Sequence, residues 1–240
     1  TFHIVQGSNT TSKFAIDADS RVSLSNNGTF DSGTSNTVFG KNIGVANNID
    51  AGSNYNVFIG EDVASDGTLA DAANNVIIGY QAGEDITTAD SCVMIGYQAG
   101  QEHSQGSGVT AIGYRSGYDG SGLDNWGNTF IGYESGSGNW TTGASNGNIG
   151  VGYQTLKGAM NDADYNVAVG YQSGLSITLG DKNTLMGWKA GVNLTEGTVN
   201  VAIGNGALLS GVTNHQNVAV GGDALGSTTS DSNVGIGEKA

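Results

Sequence analysis

The stretch Asn166-Val167-Ala168-Val169-Gly170-Tyr171-Gln172-Ser173-Gly174 decides the reading of this chain, because versions of it return about every eighteen residues from Asn36 onward. The glycine that closes its short apolar run recurs as Gly40, Gly60, Gly79, Gly96, Gly113, Gly132, Gly152, Gly170, Gly187, Gly204, Gly221 and Gly237. A fixed period of this length marks a solenoid, in which each repeat covers its apolar side only by stacking on the next.

With each glycine as position zero, position −3 is always β-branched, as in Thr37, Val57, Thr110, Ile149, Val167 and Val234. Position −1 always carries a large apolar group, as in Phe39, Ile59, Ile95, Val151, Met186 and Ile236. Position −2 varies from Gly150 and Ala168 to Phe58, Phe130 and Leu185. Period-two alternation with β-branched residues predicts a short strand, the strict −3/−1 face buried. The tolerant −2 position is expected to look toward another sheet or another subunit.

Position −4 is Asn in all copies except Cys92 and Val109: Asn36, Asn56, Asn75, Asn128, Asn148, Asn166, Asn183, Asn200, Asn217 and Asn233. Stacked in register, these amides can hydrogen-bond along the pile as a structural ladder; Asn also suits the end of a turn entering a strand. A small residue follows at +3 (Ala82, Ala99, Ser116, Ser173) and often Gly at +4, which suits a tight corner. The polar remainder varies in length, and single apolar residues there (Ile86, Leu123, Ile177, Leu194) suggest a second, weaker strand closing each coil. The expected fold is all-β: a parallel β-solenoid of about twelve coils, roughly 55 Å long at one strand spacing per coil.

Residues 1–35 lack the repeat and read as an N-terminal β cap or connector, with strands around Phe2-His3-Ile4-Val5, Lys13 to Asp17 and Arg21 to Ser25; the solenoid domain is 36–240. Thr1 in place of Met, and a last repeat that stops just after its strand, read as a segment of a longer polypeptide. From Asn75 an aromatic follows the glycine: Tyr80, Tyr97, Tyr114, Tyr133, Tyr153, Tyr171 and then Trp188. In register these make an aromatic column, which can stabilise a sheet face or offer rings to a glycan.

The 41 Gly, without Pro and without a three-residue period, exclude collagen. Phased apolar residues argue against disorder. A net charge of −14 opposes binding to nucleic acid and to anionic membranes. No eighteen-residue apolar run or signal peptide is visible. The single Cys92 cannot form an intrachain disulfide. His3, His103 and His215 are scattered, no zinc spacing or phosphate loop occurs, and no cofactor is implied. Asp17-Ala18-Asp19 and Asp162-Ala163-Asp164 could offer carboxylates to Ca²⁺, but neither fits a known calcium loop and both read more simply as solvated acids. With no pocket-forming insertion, no enzyme activity is expected.

Asn200-Val201-Ala202-Ile203-Gly204-Asn205-Gly206-Ala207 resembles the head repeat of trimeric autotransporter adhesins. The longer form from Asn75 to Gly83 is similar to repeats of bacteriophage tail fibres, and the lead-in from Phe14 to Asn27 resembles fibre segments of marine phages. The resemblance runs roughly from Phe14 to Ala240, although the adhesin repeat is shorter and more regular. It implies left-handed β-rolls, three chains around a threefold axis, and position −2 near that axis. By this resemblance the chain is expected to be a homotrimeric virion component, a tail fibre or appendage that spaces or presents a surface for a host glycan or protein receptor. The alternative is a bacterial cell-surface adhesin or extracellular filament. An acyltransferase-type β-helix fits less well, since its coil needs three apolar hexads and only one strong apolar strand occurs here.

Overall fold

The computed structural model describes residues 2–4, 14–16, 22–23, 36–44, 52–66, 68–118, 125–140 and 143–240. Three short strands, β1 (Phe2–Ile4), β2 (Phe14–Ile16) and β3 (Val22–Ser23), form an antiparallel sheet in that order, each where alternation in the sequence predicts a strand.

Twelve parallel strands follow, one per repeat: β4 (Thr37–Lys41), β5 (Val57–Glu61), β6 (Val76–Ile78), β7 (Val93–Ile95), β8 (Thr110–Ile112), β9 (Thr129–Ile131), β10 (Ile149–Val151), β11 (Val167–Val169), β12 (Thr184–Met186), β13 (Val201–Ile203), β14 (Val218–Val220) and β15 (Val234–Ile236). They pair in sequence order into one sheet, giving a β-solenoid of about eleven turns, with no helix among the described residues. Register is strict: Val167, Ala168 and Val169 stand against Thr184, Leu185 and Met186, and these against Val201, Ala202 and Ile203.

The position-zero glycines are required both by conformation and by space. Their φ values lie between 125° and 148°, a region closed to L side chains. A Cβ at Gly170 would sit 2.4 Å from the carbonyl oxygen of Gly187 in the next coil. The chain therefore leaves each strand through a corner that only glycine can make, and the corners stack.

The strand faces are the reverse of the sequence expectation. Position −2 points into the coil: Phe58, Ile77, Met94, Ala111, Ala168, Leu185, Ala202 and Ala219 are fully buried. The constant −3 and −1 positions point outward and are half-buried or exposed. The variable residue thus has its place inside its own coil, not at a threefold axis.

Volume explains why −2 can vary. The coil interior is filled jointly by −2 and +4, and in most coils their sizes oppose each other; Ala111 with Gly117 and Ala168 with Gly174 are small at both places, and Leu156 and Leu185 of the adjoining coils close on Gly174. Ile77, Met94, Phe130 and Leu185 are matched by Gly83, Gly100, Gly136 and Gly191, whereas Gly150, Ala202 and Ala219 are matched by Leu156, Leu208 and Leu225. The pairs collide if both are large: a Cβ at Gly191 would lie 2.9 Å from a Leu185 methyl, and one at Gly136 2.5 Å from the Phe130 ring. Close packing at near-crystal density favours such compensation.

The second strand expected in each coil is not formed among the described residues. Ile86, Ile177 and Leu194 are buried, but in irregular segments whose N–H groups converge on one carbonyl of the next coil instead of forming a ladder, as Thr178, Leu179 and Gly180 do on Thr195 O (2.9–3.1 Å). Left-handed residues on this path, Lys182 and Val199 among them, interrupt any extended run. Leu123 lies outside the described residues.

Candidate functional site

The rod offers three features that could carry function: an outward apolar strip, internal polar ladders, and an aromatic column beside an amide column. The strip is made by −3 and −1. Val57, Val76, Val93, Val167, Val201 and Val218 form one file; Ile59, Ile78, Ile95, Ile112, Ile131 and Ile203 lie in the other. Ile131, Ile149, Met186 and Ile203 are each more than a third exposed. A continuous apolar file one residue wide and many coils long exceeds the scattered exposure ordinary on a monomer.

The ten Asn at −4 are brought into one column. From Asn36 to Asn217 each Oδ1 accepts the backbone N–H of the residue one coil later, as from Asn183 to Asn166 and Asn200 to Asn183 (3.0 Å each). From Asn36 to Asn200 each Nδ2 reaches a backbone carbonyl of the following turn, as from Asn166 to Gly180 and from Asn183 to Gly197 (2.7 and 2.8 Å), whereas those of Asn217 and Asn233 donate within their own turns, to His215 O and to Ser230 O. Amide-to-amide bonds also join Asn166, Asn183, Asn200, Asn217 and Asn233. Asn36, Asn56, Asn75, Asn128 and Asn148 make the same backbone contacts. Cys92 takes the place of an amide: its N–H donates to Asn75 Oδ1 (2.9 Å), and its thiol lies 3.5 Å from Gly106 O. Burial pushes that thiol up to about 11, so it is protonated at neutral pH and is no nucleophile.

A second ladder was missed in the sequence. At −6, Asp90, Asn146, Asp164, Asp181 and Asp231 accept backbone N–H groups from the preceding coil at 2.5–3.0 Å, and His215 Nδ1 does so from Thr198. The signal was the Asp or Asn recurring two residues before the ladder Asn. The Asp162-Ala163-Asp164 pair is thereby partly explained, since Asp164 Oδ1 is bound by Asn146 N–H. Asp17-Ala18-Asp19 lies outside the described residues.

The aromatics come together as a column. Five stacked pairs join Tyr80, Tyr97, Tyr114, Tyr133, Tyr153 and Tyr171, with ring centroids 4.9–5.4 Å apart and planes within 19°. Trp188 holds the next place, with Lys189 Nζ 4.5 Å from its ring centre. Because ring faces are turned to one another, the column presents edges and hydroxyls outward. The neighbouring +2 residues form an amide column: Gln98 donates to Gln81, Gln172 to Gln154, and Gln154 to Glu134. Desolvation raises the Glu134 carboxyl, but hydrogen bonds from Lys157 and Gln154 and the charges of Lys157 and Arg115 outweigh it and hold it below the usual range. Desolvation raises the phenols of Tyr80 and Tyr133, with nearby carboxylates adding to it.

His103 is buried, with Nε2 2.5 Å from Gly106 O, and fills the place that Ile86, Ile177 and Leu194 fill in their coils. It is a satisfied core residue. Among the described residues no three His, Cys, Asp or Glu side chains converge as a metal set, and no helix is long and apolar enough to cross a membrane. No family model matches the chain, and no curated protein or solved structure is detectably similar to it.

Proposed function

We propose that this chain is a structural segment of a homotrimeric fibre, a virion appendage of the phage tail-fibre kind, that holds a receptor-binding surface at a fixed distance from the particle. The observation that carries the reading is the outward apolar strip. Inside the coil residue identity drifts, while outside it holds to β-branched and large apolar types over twelve strands. Burying that strip against copies of itself removes it from water along the whole rod, at about 25 cal/mol per Å² of apolar surface covered. Closed symmetry gives every copy the same contact. Three chains, and the virion as their setting, follow from the resemblance of the repeats. Regular spacing along a stiff rod then lets several weak contacts act together at the host surface.

Light scattering on the purified chain, combined with negative-stain images, tests the assembly. Slender trimers are expected; a monodisperse monomer at micromolar concentration rejects the reading. Immunogold labelling separates the settings: gold on the thin appendages of virus particles supports a tail fibre, and gold on bacterial envelopes supports the adhesin alternative.

A further inference from the structure

The tyrosine column has a chemistry that neither rod assembly nor receptor spacing uses. Six phenols stand in one file, with neighbouring ring centres 4.9–5.4 Å apart and nearly parallel planes. They are 40–44 % exposed, so an oxidant reaches their edges. Their side chains leave the backbone at stacked positions one coil apart, so each phenol ring has its nearest partner on an adjacent coil of the same chain. We propose that this column is an oxidative modification site at which one-electron oxidation couples adjacent tyrosines of the same chain into dityrosine, stapling successive coils together.

The step balances with hydrogen peroxide and a haem peroxidase as the oxidising system. Two phenols each lose one electron and one proton, and the peroxide takes both pairs to become two waters. The phenoxyl radicals join through the ring carbons ortho to oxygen, forming one carbon–carbon bond. The hydrogen on each joined carbon then shifts to its own oxygen, which restores both phenols. The net change is the loss of two hydrogen atoms per link. One strand spacing between side-chain origins suits a biaryl whose two arms lie on the same side, and the parallel stack already holds them so.

The protein carries its own controls. Tyr55 and Tyr165 are 63 % and 49 % exposed, more than any column tyrosine, and lie outside the file. If exposure alone decided, they would react first and join separate chains.

The test is to treat the full chain with a haem peroxidase and limiting hydrogen peroxide, then denature it and separate the products by size. Dityrosine fluorescence is expected in the band of single-chain mass, and peptide mapping is expected to find links such as Tyr97 to Tyr114 and Tyr133 to Tyr153. Two triple variants sharpen it, since Phe keeps the stacked ring in each. Tyr97→Phe/Tyr133→Phe/Tyr171→Phe leaves no two column phenols on adjacent coils, and its single-chain dityrosine is expected to fall at least tenfold. Tyr80→Phe/Tyr97→Phe/Tyr114→Phe removes as many phenols but leaves two of the five stacked pairs, and is expected to keep about two-fifths of the yield. Equal yields from the two variants, dityrosine confined to joined chains, or links made chiefly through Tyr55 and Tyr165 overturn the proposal.

Discussion

Ala202 and Ile203 are neighbours on β13, yet they face opposite ways and obey opposite rules. Ala202 points into the coil, where its counterparts range from glycine to phenylalanine; Ile203 points outward, where its counterparts are always large and apolar. Ordinary domains keep their constancy inside. Here the interior is a narrow continuous core, so a large residue at −2 can be offset by a small one at +4 a few residues later or by a neighbour in the next coil. On the outer face no such exchange of volume exists. Each side chain there must match the coil above, the coil below and whatever lies against the strip.

Reversing the two neighbours gives the largest expected contrast. Ala202→Asp places a carboxylate with no partner between Leu185 and Ala219, and is expected to cost several kcal/mol, seen as loss of cooperative unfolding in urea. Ile203→Asp, one residue on, is expected to cost the single chain about 1 kcal/mol or less. Its effect is expected in the assembled mass, which should fall toward that of one chain. Equal damage to folding from both substitutions would erase the distinction between the faces.

Exchange of volume inside the coil can be tested at Leu185 and Gly191. Leu185→Ala is expected to lose about 2–5 kcal/mol by leaving a cavity. Gly191→Leu alone drives a side chain against the Leu185 methyls and is expected to cost about 1–3 kcal/mol. Together they reproduce the arrangement of Ala202 with Leu208, and the double variant is expected to be more stable than the sum of the single losses by at least about 1 kcal/mol. Strict additivity in denaturant titrations would show that the two positions do not share one space.

The Asn column qualifies the contrast, being interior and yet constant. What it supplies is hydrogen bonds to backbone, which no change of volume elsewhere can replace. Asn166→Ala strands the buried N–H of Asn183 and the carbonyl of Gly180, and removes a partner of the Asn183 amide. About 2–3 kcal/mol is expected, since each stranded buried group costs roughly 1–3. A melting temperature within a degree of the parent would mean that the ladder is ornamental.

Much of this was legible in the sequence. The twelve glycines fixed the period, and β-branched residues beside them fixed one strand per coil. The aromatic column followed from register alone. The direction of the strand was not legible, because alternation reports which residues share a face and says nothing of which face is inside. Constancy ordinarily marks burial, and the compensating pairs such as Gly150 with Leu156 lie six residues apart, outside a period-two alternation. The −6 ladder was hidden for another reason: Asp, Asn, Ser and His all accept a backbone N–H, so the column is uniform in chemistry and mixed in letters.

Val199 offers the smallest and cleanest test, at an outward place where no neighbour demands uniformity. It precedes the ladder Asn and holds φ at 59°, a left-handed conformation that a β-branched residue adopts only under strain. The same place in other coils carries Gly108, Gly127 and Gly147 at φ 64–70° and Asn74 at 60°. Backbone shape is thus constant there while the residue is free, the converse of the apolar strip. Its N–H is already bound to Asp181 O at 2.9 Å, and half of the side chain is exposed, so substitution removes little packing. Val199→Asn is expected to gain about 1 kcal/mol, as asparagine tolerates the left-handed region. Val199→Gly is expected to gain less, because the freer unfolded chain takes back part of the relief. Both should leave the assembled mass unaltered. A fall in melting temperature with Asn would mean that Val199 is held there by a contact worth more than its strain, and the place would then belong with the strip.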